Sequence, residues 1–303
     1  MPNGIDATFR LTRPGVPAGQ AATWQTVLTE FAAEIPDPER VEVIITDEFE
    51  KVAGEYRVQA VDQSNESETA EQYRASRSDG ARAAALTVRL PHDKDVVVVG
   101  SPLYAHGVRS MRHTLLHEAQ HVRLNQHGDT AHAVHRRTSF TLPSDDITWE
   151  YLWIAESSID EFRCERTVHE RGWTDPSNTN SPQDVDGVEA TFHATRAQYR
   201  RNQNVRAAYE NGIASLERLA TVLAYGAAGL ATGVVTAESW AEAPAMGRVL
   251  DVLEELPGTS VVVPRETLID TAVQLAKRLR RLLQEQGFDC YFLDDGTLWF
   301  EVR

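Results

Sequence analysis

The spacing of apolar residues changes near Pro102, from short runs before it to helical periods after it. A helical period predicts a first helix at Gln20–Ile35, which two prolines end. Runs rich in β-branched residues then predict strands at Val41–Thr46, Tyr56–Val61, Ala85–Leu90 and Asp95–Gly100. The last of these contains four consecutive valines. We therefore expect a small sheet in the first third of the chain.

Helical periods dominate the chain between Pro102 and Gly287. They predict helices at about 109–127, 148–171, 188–225, 236–255 and 264–286. The final segment, Phe288–Val302, has two apolar runs joined through Asp294–Asp295–Gly296 and predicts a β-hairpin. Strands first and helices afterwards indicate an α+β fold class.

Composition along the chain suggests three regions. Residues 1–19 contain three prolines and three glycines and predict an irregular lead-in. Residues 20–175 carry the predicted strands and the first helices. A polar stretch with Pro176 and Pro182 predicts a boundary, and residues 186–303 then form a helical C-terminal region that ends in the hairpin.

Charge and cysteine content narrow the classes of partner. The formal net charge of −15 argues against nucleic acid, because neutralising phosphates requires an excess of cations. The N-terminus lacks the apolar stretch of a signal peptide, and the most apolar run, residues 221–235, is too short to span a membrane. Cys164 and Cys290 are too few for a disulfide framework. We expect a cytoplasmic protein that binds neither nucleic acid nor membranes.

One short motif carries recognisable chemistry. In RHTLLHEAQHVRL, His117 and His121 are four residues apart and project from one face of the predicted helix, so they can share a metal ion. Glu118 is rotated by about 100° from His117, beside the ion rather than on it. A carboxylate there can take a proton from a zinc-activated water. The motif predicts a Zn²⁺ site with Glu118 as the catalytic base.

A catalytic zinc site needs a third protein ligand and an open position for water. The strongest candidate is Glu156, in a later predicted helix. Asp160 follows one turn later on the same face, where its carboxylate can accept a hydrogen bond from the second ring nitrogen of a ligand histidine. The sequence therefore predicts His117, His121 and Glu156 as ligands, with Asp160 orienting one of the histidines.

Two further histidines have to be weighed against this assignment. His127 is ten residues after His117, the spacing of the third ligand in the metzincin pattern HExxHxxGxxH. That pattern needs a glycine at position 124, where this chain has Leu124. If the helix continues to Gly128, His127 points away from the ion. His113 shares the face of His117 one turn earlier, where it is a candidate for substrate contact.

At these residues the chain resembles the gluzincin metallopeptidases, whose plan is HExxH followed by a helical ligand Glu and a supporting Asp four residues later. The helix around Glu156 is also loosely similar to that of the ImmA/IrrE-type intracellular peptidases, with Phe162 at a matching offset. Ile159 and Arg163 depart from that pattern.

The resemblance implies a fold, a cofactor and an activity. The fold would be zincin-like over residues 20–175, a small twisted sheet above the active-site helix. Asp95–Gly100 would be the edge strand that binds an extended peptide by strand addition. The cofactor would be Zn²⁺, and the activity would be hydrolysis of peptide bonds in a peptide or protein substrate. A nearby His or Tyr, left open by the sequence, would stabilise the oxyanion.

Two alternatives remain at this stage. The chain could be a catalytically inactive or regulatory zincin-fold protein that binds a protein partner through its helical C-terminal half. The site chemistry also suits hydrolysis of an amide other than a peptide.

Overall fold

The computed structural model describes residues 5–12, 18–60, 84–131, 142 and 147–303. The chain divides into two compact units. The first comprises Met1–Asp129 and Glu170–Asn178, and the second comprises Thr130–His169 and Thr179–Arg303. The α+β class is confirmed: the first unit holds a small mixed sheet, and the C-terminal half is helical and ends in an antiparallel hairpin.

A four-stranded sheet organises the first unit. Its elements in chain order are β1 (Asp6–Arg10), α1 (Ala18–Glu34), β2 (Val41–Thr46), α2 (Phe49–Arg57), β3 (Ala85–Leu90), β4 (Lys94–Gly100) and α3 (Val108–His127). The strand order is β1-β2-β4-β3. Strands β1, β2 and β4 are parallel, and β3 is antiparallel to β4.

Helices cover both faces of this sheet. On one face, α1 and α3 pack against alternate residues of the central strands, including Val43 and Val97. On the other face, α2 packs through Phe49 and Val52 against Val98. The first unit is therefore a three-layer arrangement with β2 and β4 buried at its centre.

The prediction that Asp95–Gly100 forms the edge strand is wrong. As part of β4 it lies between β2 and β3, and β3 forms the edge of the sheet described. The valine run explains this central position. Val97 and Val99 lie in the core on one face of the sheet, and Val96 and Val98 lie in the core on the other face. A strand buried on both faces has a continuous apolar run, as central strands do.

Two other predictions in this unit are also wrong. The lead-in predicted to be irregular contains β1, which pairs in parallel with β2. The strand predicted at Tyr56–Val61 is replaced by the end of α2, a helix whose buried residues Phe49, Val52 and Ala53 have helical spacing. Val61 lies outside the described residues.

In the described residues of the second unit, the regular secondary structure is helical apart from one hairpin. Its helices are α4 (Trp149–Glu170, of which Glu170 belongs to the first unit), α5 (Pro182–Asn202), α6 (Val205–Ala231), α7 (Ala245–Leu253) and α8 (Arg265–Glu285). Strands β5 (Phe288–Phe292) and β6 (Leu298–Val302) form the predicted hairpin. One apolar core joins these elements.

Two long helices predicted here are each interrupted. The segment 188–225 spans α5 and α6, which separate where Gln203 adopts a left-handed conformation at φ 54°. The side chain of Asn204 then caps α6 by accepting a hydrogen bond from the backbone amide of Ala207. The segment 236–255 contains a short 3-10 helix, Ala237–Trp240, before α7 begins.

The small residues of 221–235 serve close packing. A Cβ atom at Gly226 of α6 would lie 2.6 Å from Cε of Met246 and 2.6 Å from Cη2 of Trp240, and still closer to Cζ2 of the same ring. Trp240 is almost completely buried, so it has little room to move. No helix in the described part of the chain is long and apolar enough to cross a membrane.

Replacing Gly226 by alanine should destabilise the second unit by about 1–3 kcal/mol, because the added methyl overlaps packed side chains. Gly247→Ala is the matched control. Its Cβ would meet nothing within 4 Å, on an exposed helical face. That variant should gain about 0.5–1 kcal/mol from helix propensity. Chemical denaturation measures both, and equal effects would contradict the packing assignment.

Candidate metal centre

Helix α3 carries the motif, and its packing decides how the motif faces. The helix begins after Gly107 and ends at Gly128, which is left-handed at φ 65°. Met111, Leu115, Ala119 and Val122 are fully buried in the core beneath the sheet. These residues form one helical stripe. The predicted helix at 109–127 is confirmed within one residue at its start.

His117 and His121 meet on the opposite side of this helix. Their Nε2 atoms are 3.2 Å apart, and the ring planes are inclined at 64°. Two nitrogens bound to one tetrahedral Zn²⁺ at about 2.05 Å are separated by about 3.3 Å. The spacing of the two rings therefore fits a shared metal ion.

A carboxylate joins this pair. His117, His121 and Glu161 each offer one ligand atom, and these atoms all lie within 4.8 Å of one another. Two imidazoles and one carboxylate form a donor set that could bind a metal ion, without identifying which metal. The hydroxyl of Tyr225 donates a hydrogen bond of 2.7 Å to Oε2 of Glu161. Neither Glu161 nor Tyr225 is predicted from the sequence as part of the site.

Glu118 is held beside the histidines and is not one of the three grouped residues. Its side chain is buried, and Oε2 accepts a hydrogen bond of 2.6 Å from the hydroxyl of Thr87 on β3. Its role as the catalytic base stays a prediction. Thr87 was also missed, because no short motif links a strand residue to a helix 31 positions later.

Glu156 and Asp160 lie on α4, and both are buried. Glu156 is not one of the three candidate ligands His117, His121 and Glu161, and Glu161 is rotated from it by about 140° around the helix. The carboxylate of Asp160 accepts hydrogen bonds from the hydroxyl of Thr130 and from the backbone amide of Ala131. The assignment of Glu156 as ligand and of Asp160 as the orienting carboxylate stays a prediction.

The other two motif histidines have defined surroundings. Helix α3 continues through Leu124 without the turn that the metzincin pattern requires, and His127 is exposed in its last turn. His113 is buried, and its Nδ1 accepts a hydrogen bond of 2.9 Å from the backbone amide of Asp175. In its neutral form His113 therefore carries its proton on Nε2.

A buried ion pair fastens the far end of α3 to the sheet. Asp95 of β4 accepts hydrogen bonds from Arg89 of β3 at 2.7 Å and from Asn125 of α3 at 2.9 Å. Burial raises the pKa of Asp95 to about 6, because desolvation outweighs the stabilising effects of Arg89 and Asn125 on the charged form.

No protein-family model matches the chain, and neither a curated protein nor a solved structure matches it. The resemblance to gluzincins is therefore carried by the motif residues alone, and membership of that family stays a prediction.

The ionisation of Asp95 should make stability depend on pH. Between about pH 3.8 and 6 the folded protein holds a proton on Asp95 that the unfolded chain releases. The contribution of this carboxyl to the free energy of unfolding therefore falls as pH rises. Relative to Asp95→Asn, the wild-type protein should lose about 2–2.5 kcal/mol of unfolding free energy between pH 4 and 7 in urea denaturation. The exposed Asp6→Asn control should keep the wild-type slope, and a parallel slope for Asp95→Asn would refute the assignment.

Two glutamine variants should identify the carboxylate ligand. The geometry predicts that Glu161→Gln weakens zinc binding by about tenfold or more, whereas Glu156→Gln lowers the affinity for zinc less. Isothermal titration with Zn²⁺ measures both affinities, and circular dichroism checks that each variant is folded. The reverse order of affinities would show that Glu156 is the ligand and Glu161 is not.

Proposed function

We propose that this protein is a zinc-dependent metallopeptidase. The observation that supports this most strongly is the 3.2 Å separation of two histidine Nε2 atoms with a glutamate ligand atom close by. Histidine nitrogen and carboxylate oxygen are the ligands of catalytic zinc, which leaves a fourth position open. The base that such chemistry needs follows directly in the chain as Glu118.

Each residue has a distinct task in this proposal. His117 and His121, as neutral imidazoles, and a glutamate of α4 hold the ion. The bound ion would lower the pKa of a water and polarise the scissile carbonyl. Glu118 accepts a proton as that water attacks, and it then delivers the proton to the nitrogen of the departing amine. The carboxylate needs a fixed position to perform both transfers.

We propose that the substrate binds along the edge strand β3. Within the described sheet β3 pairs with β4 on one side only, so its other side offers backbone donors and acceptors to an extended peptide. Thr87 of this strand touches Glu118, which places the strand beside the proposed base. A peptide or protein bound along β3 would pass close to Glu118.

We propose that the protein works in a reducing compartment, the cytoplasm. Cys164 and Cys290 are both buried, and neither forms a disulfide with another described residue. The proposed partner is thus a peptide or protein substrate, with nucleic acid disfavoured by the net charge of −15.

A second candidate function is binding without hydrolysis, through the helical C-terminal half. Its supporting observation is the hairpin, where Leu293, Leu298 and Trp299 are exposed large apolar residues. Exposed apolar patches mark surfaces where partners bind, and tryptophan is enriched among the residues that carry binding energy. In that function the zincin-like site would bind metal and turn over no substrate.

Glu118→Gln separates the two candidates. The variant should keep zinc binding, because Glu118 is not among the grouped ligands, and should lose hydrolysis by about 10²-fold or more. Cleavage of a library of internally quenched peptides, with zinc content measured on the same samples, tests this. Glu50→Gln, an exposed change in the same unit, is the matched control. Equal cleavage by Glu118→Gln and wild type would contradict the assignment of the base.

A further inference from the structure

A polar side chain of strand β3 points towards α3, the helix that carries the motif. Side chains of a strand alternate between the two faces of a sheet, and Ala85 belongs to the core shared with α3. Thr87, two residues later, reaches the same side and contacts Glu118, whereas Leu86 packs with the core on the opposite face. Thr87 is therefore a half-buried polar residue on the face of the sheet that packs against α3.

The hydrogen bond between Thr87 and Glu118 has the geometry of a charge-assisted contact. Oγ1 of Thr87 lies 2.6 Å from Oε2 of Glu118 and 3.3 Å from the backbone oxygen of the same residue. A hydroxyl bonded to a carboxylate has a typical oxygen separation of about 2.5–2.7 Å. The single hydroxyl proton therefore goes mainly to Oε2.

The threonine itself is rigidly placed. Its backbone lies in the antiparallel ladder, where Thr87 faces Val97 of β4. A β-branched side chain has few χ1 rotamers, so its hydroxyl has a defined direction. The contact therefore fixes the Glu118 carboxylate against the sheet rather than against another mobile side chain.

We propose that Thr87 is a positioning residue that holds Oε2 of Glu118, which leaves Oε1 to accept and deliver the proton. This inference rests on the proposed function. In it, Thr87 keeps the base Glu118 in an orientation suited to proton transfer. A carboxylate free to rotate would spend part of its time with neither oxygen directed at the water.

The contact itself can be measured without any catalytic assay. A double-mutant cycle combines Thr87→Val, which removes the hydroxyl at nearly constant volume, with Glu118→Ala. In urea unfolding of the full chain, the two changes should be coupled by roughly tenfold or more in the unfolding equilibrium constant. Additive effects would show that the hydrogen bond contributes nothing, and would overturn the proposal.

Steady-state kinetics on the quenched-peptide library then test the role in catalysis. Thr87→Val should lower kcat by roughly 10- to 100-fold, with KM changed by less than about twofold and zinc content unchanged. Thr87→Ser retains the hydroxyl and should recover kcat to within about threefold of wild type. Thr8→Val, on the opposite edge strand β1, is the matched control and should match wild type.

The outcomes separate the two proposals. A Thr87→Val protein with wild-type kcat, or a Thr87→Ser protein as slow as Thr87→Val, overturns the role of Thr87 while hydrolysis by the wild-type protein still supports the proposed function. A wild-type protein that binds zinc and cleaves no peptide overturns the proposed function, and with it any catalytic role for Thr87.

Discussion

The packing of α3 against the centre of the sheet is the constraint on which the candidate site depends. Met111, Leu115, Ala119 and Val122 form the stripe that is buried there. At about 100° per residue, His117 and His121 lie roughly 200–240° from Leu115, on the far side of the helix. Glu118 lies roughly 60° from Leu115, at the margin of the stripe, where it meets β3. One buried stripe thus directs the histidines away from the sheet and the glutamate towards its edge.

The order of the strands supplies the second part of this arrangement. Because β4 is central, β3 becomes the edge strand, and it is the strand that meets Glu118. Arg89, two residues after Thr87, binds buried Asp95, which in turn accepts a hydrogen bond from Asn125 of α3. Polar contacts therefore hold α3 to the sheet at two points, directly to the edge strand at Glu118 and, about two helical turns later, to Asp95 of the central strand β4. They align the proposed base with the proposed seat of the substrate.

Local patterns predicted several elements of this fold, but they missed β1, assigned a strand to the end of α2, and did not reveal contacts between distant elements. Helical periodicity predicts the bounds of α3, and turn residues predict the hairpin. The four β-branched valines predict strand β4. The order of the strands does not follow from local patterns, since a continuous apolar run marks a central strand only when the burial of both its faces is known. The same holds for the carboxylate. Glu156 and Glu161 are both acids of one helix, and helical periodicity alone does not show which of them lies nearer the histidines. Thr87 and Tyr225 have no local signature at all.

Zinc K-edge X-ray absorption of the zinc-loaded protein tests whether His117, His121 and a carboxylate bind the ion, because it reports the atoms around the ion. We expect one ion per chain, bound by two imidazole nitrogens at about 2.0–2.1 Å and by oxygens at about 2.0–2.2 Å, four ligands in all. These signals should disappear together with stoichiometric zinc when His117 and His121 are replaced by alanine. Sulfur ligation, or no stoichiometric zinc in the unaltered protein, would contradict this assignment.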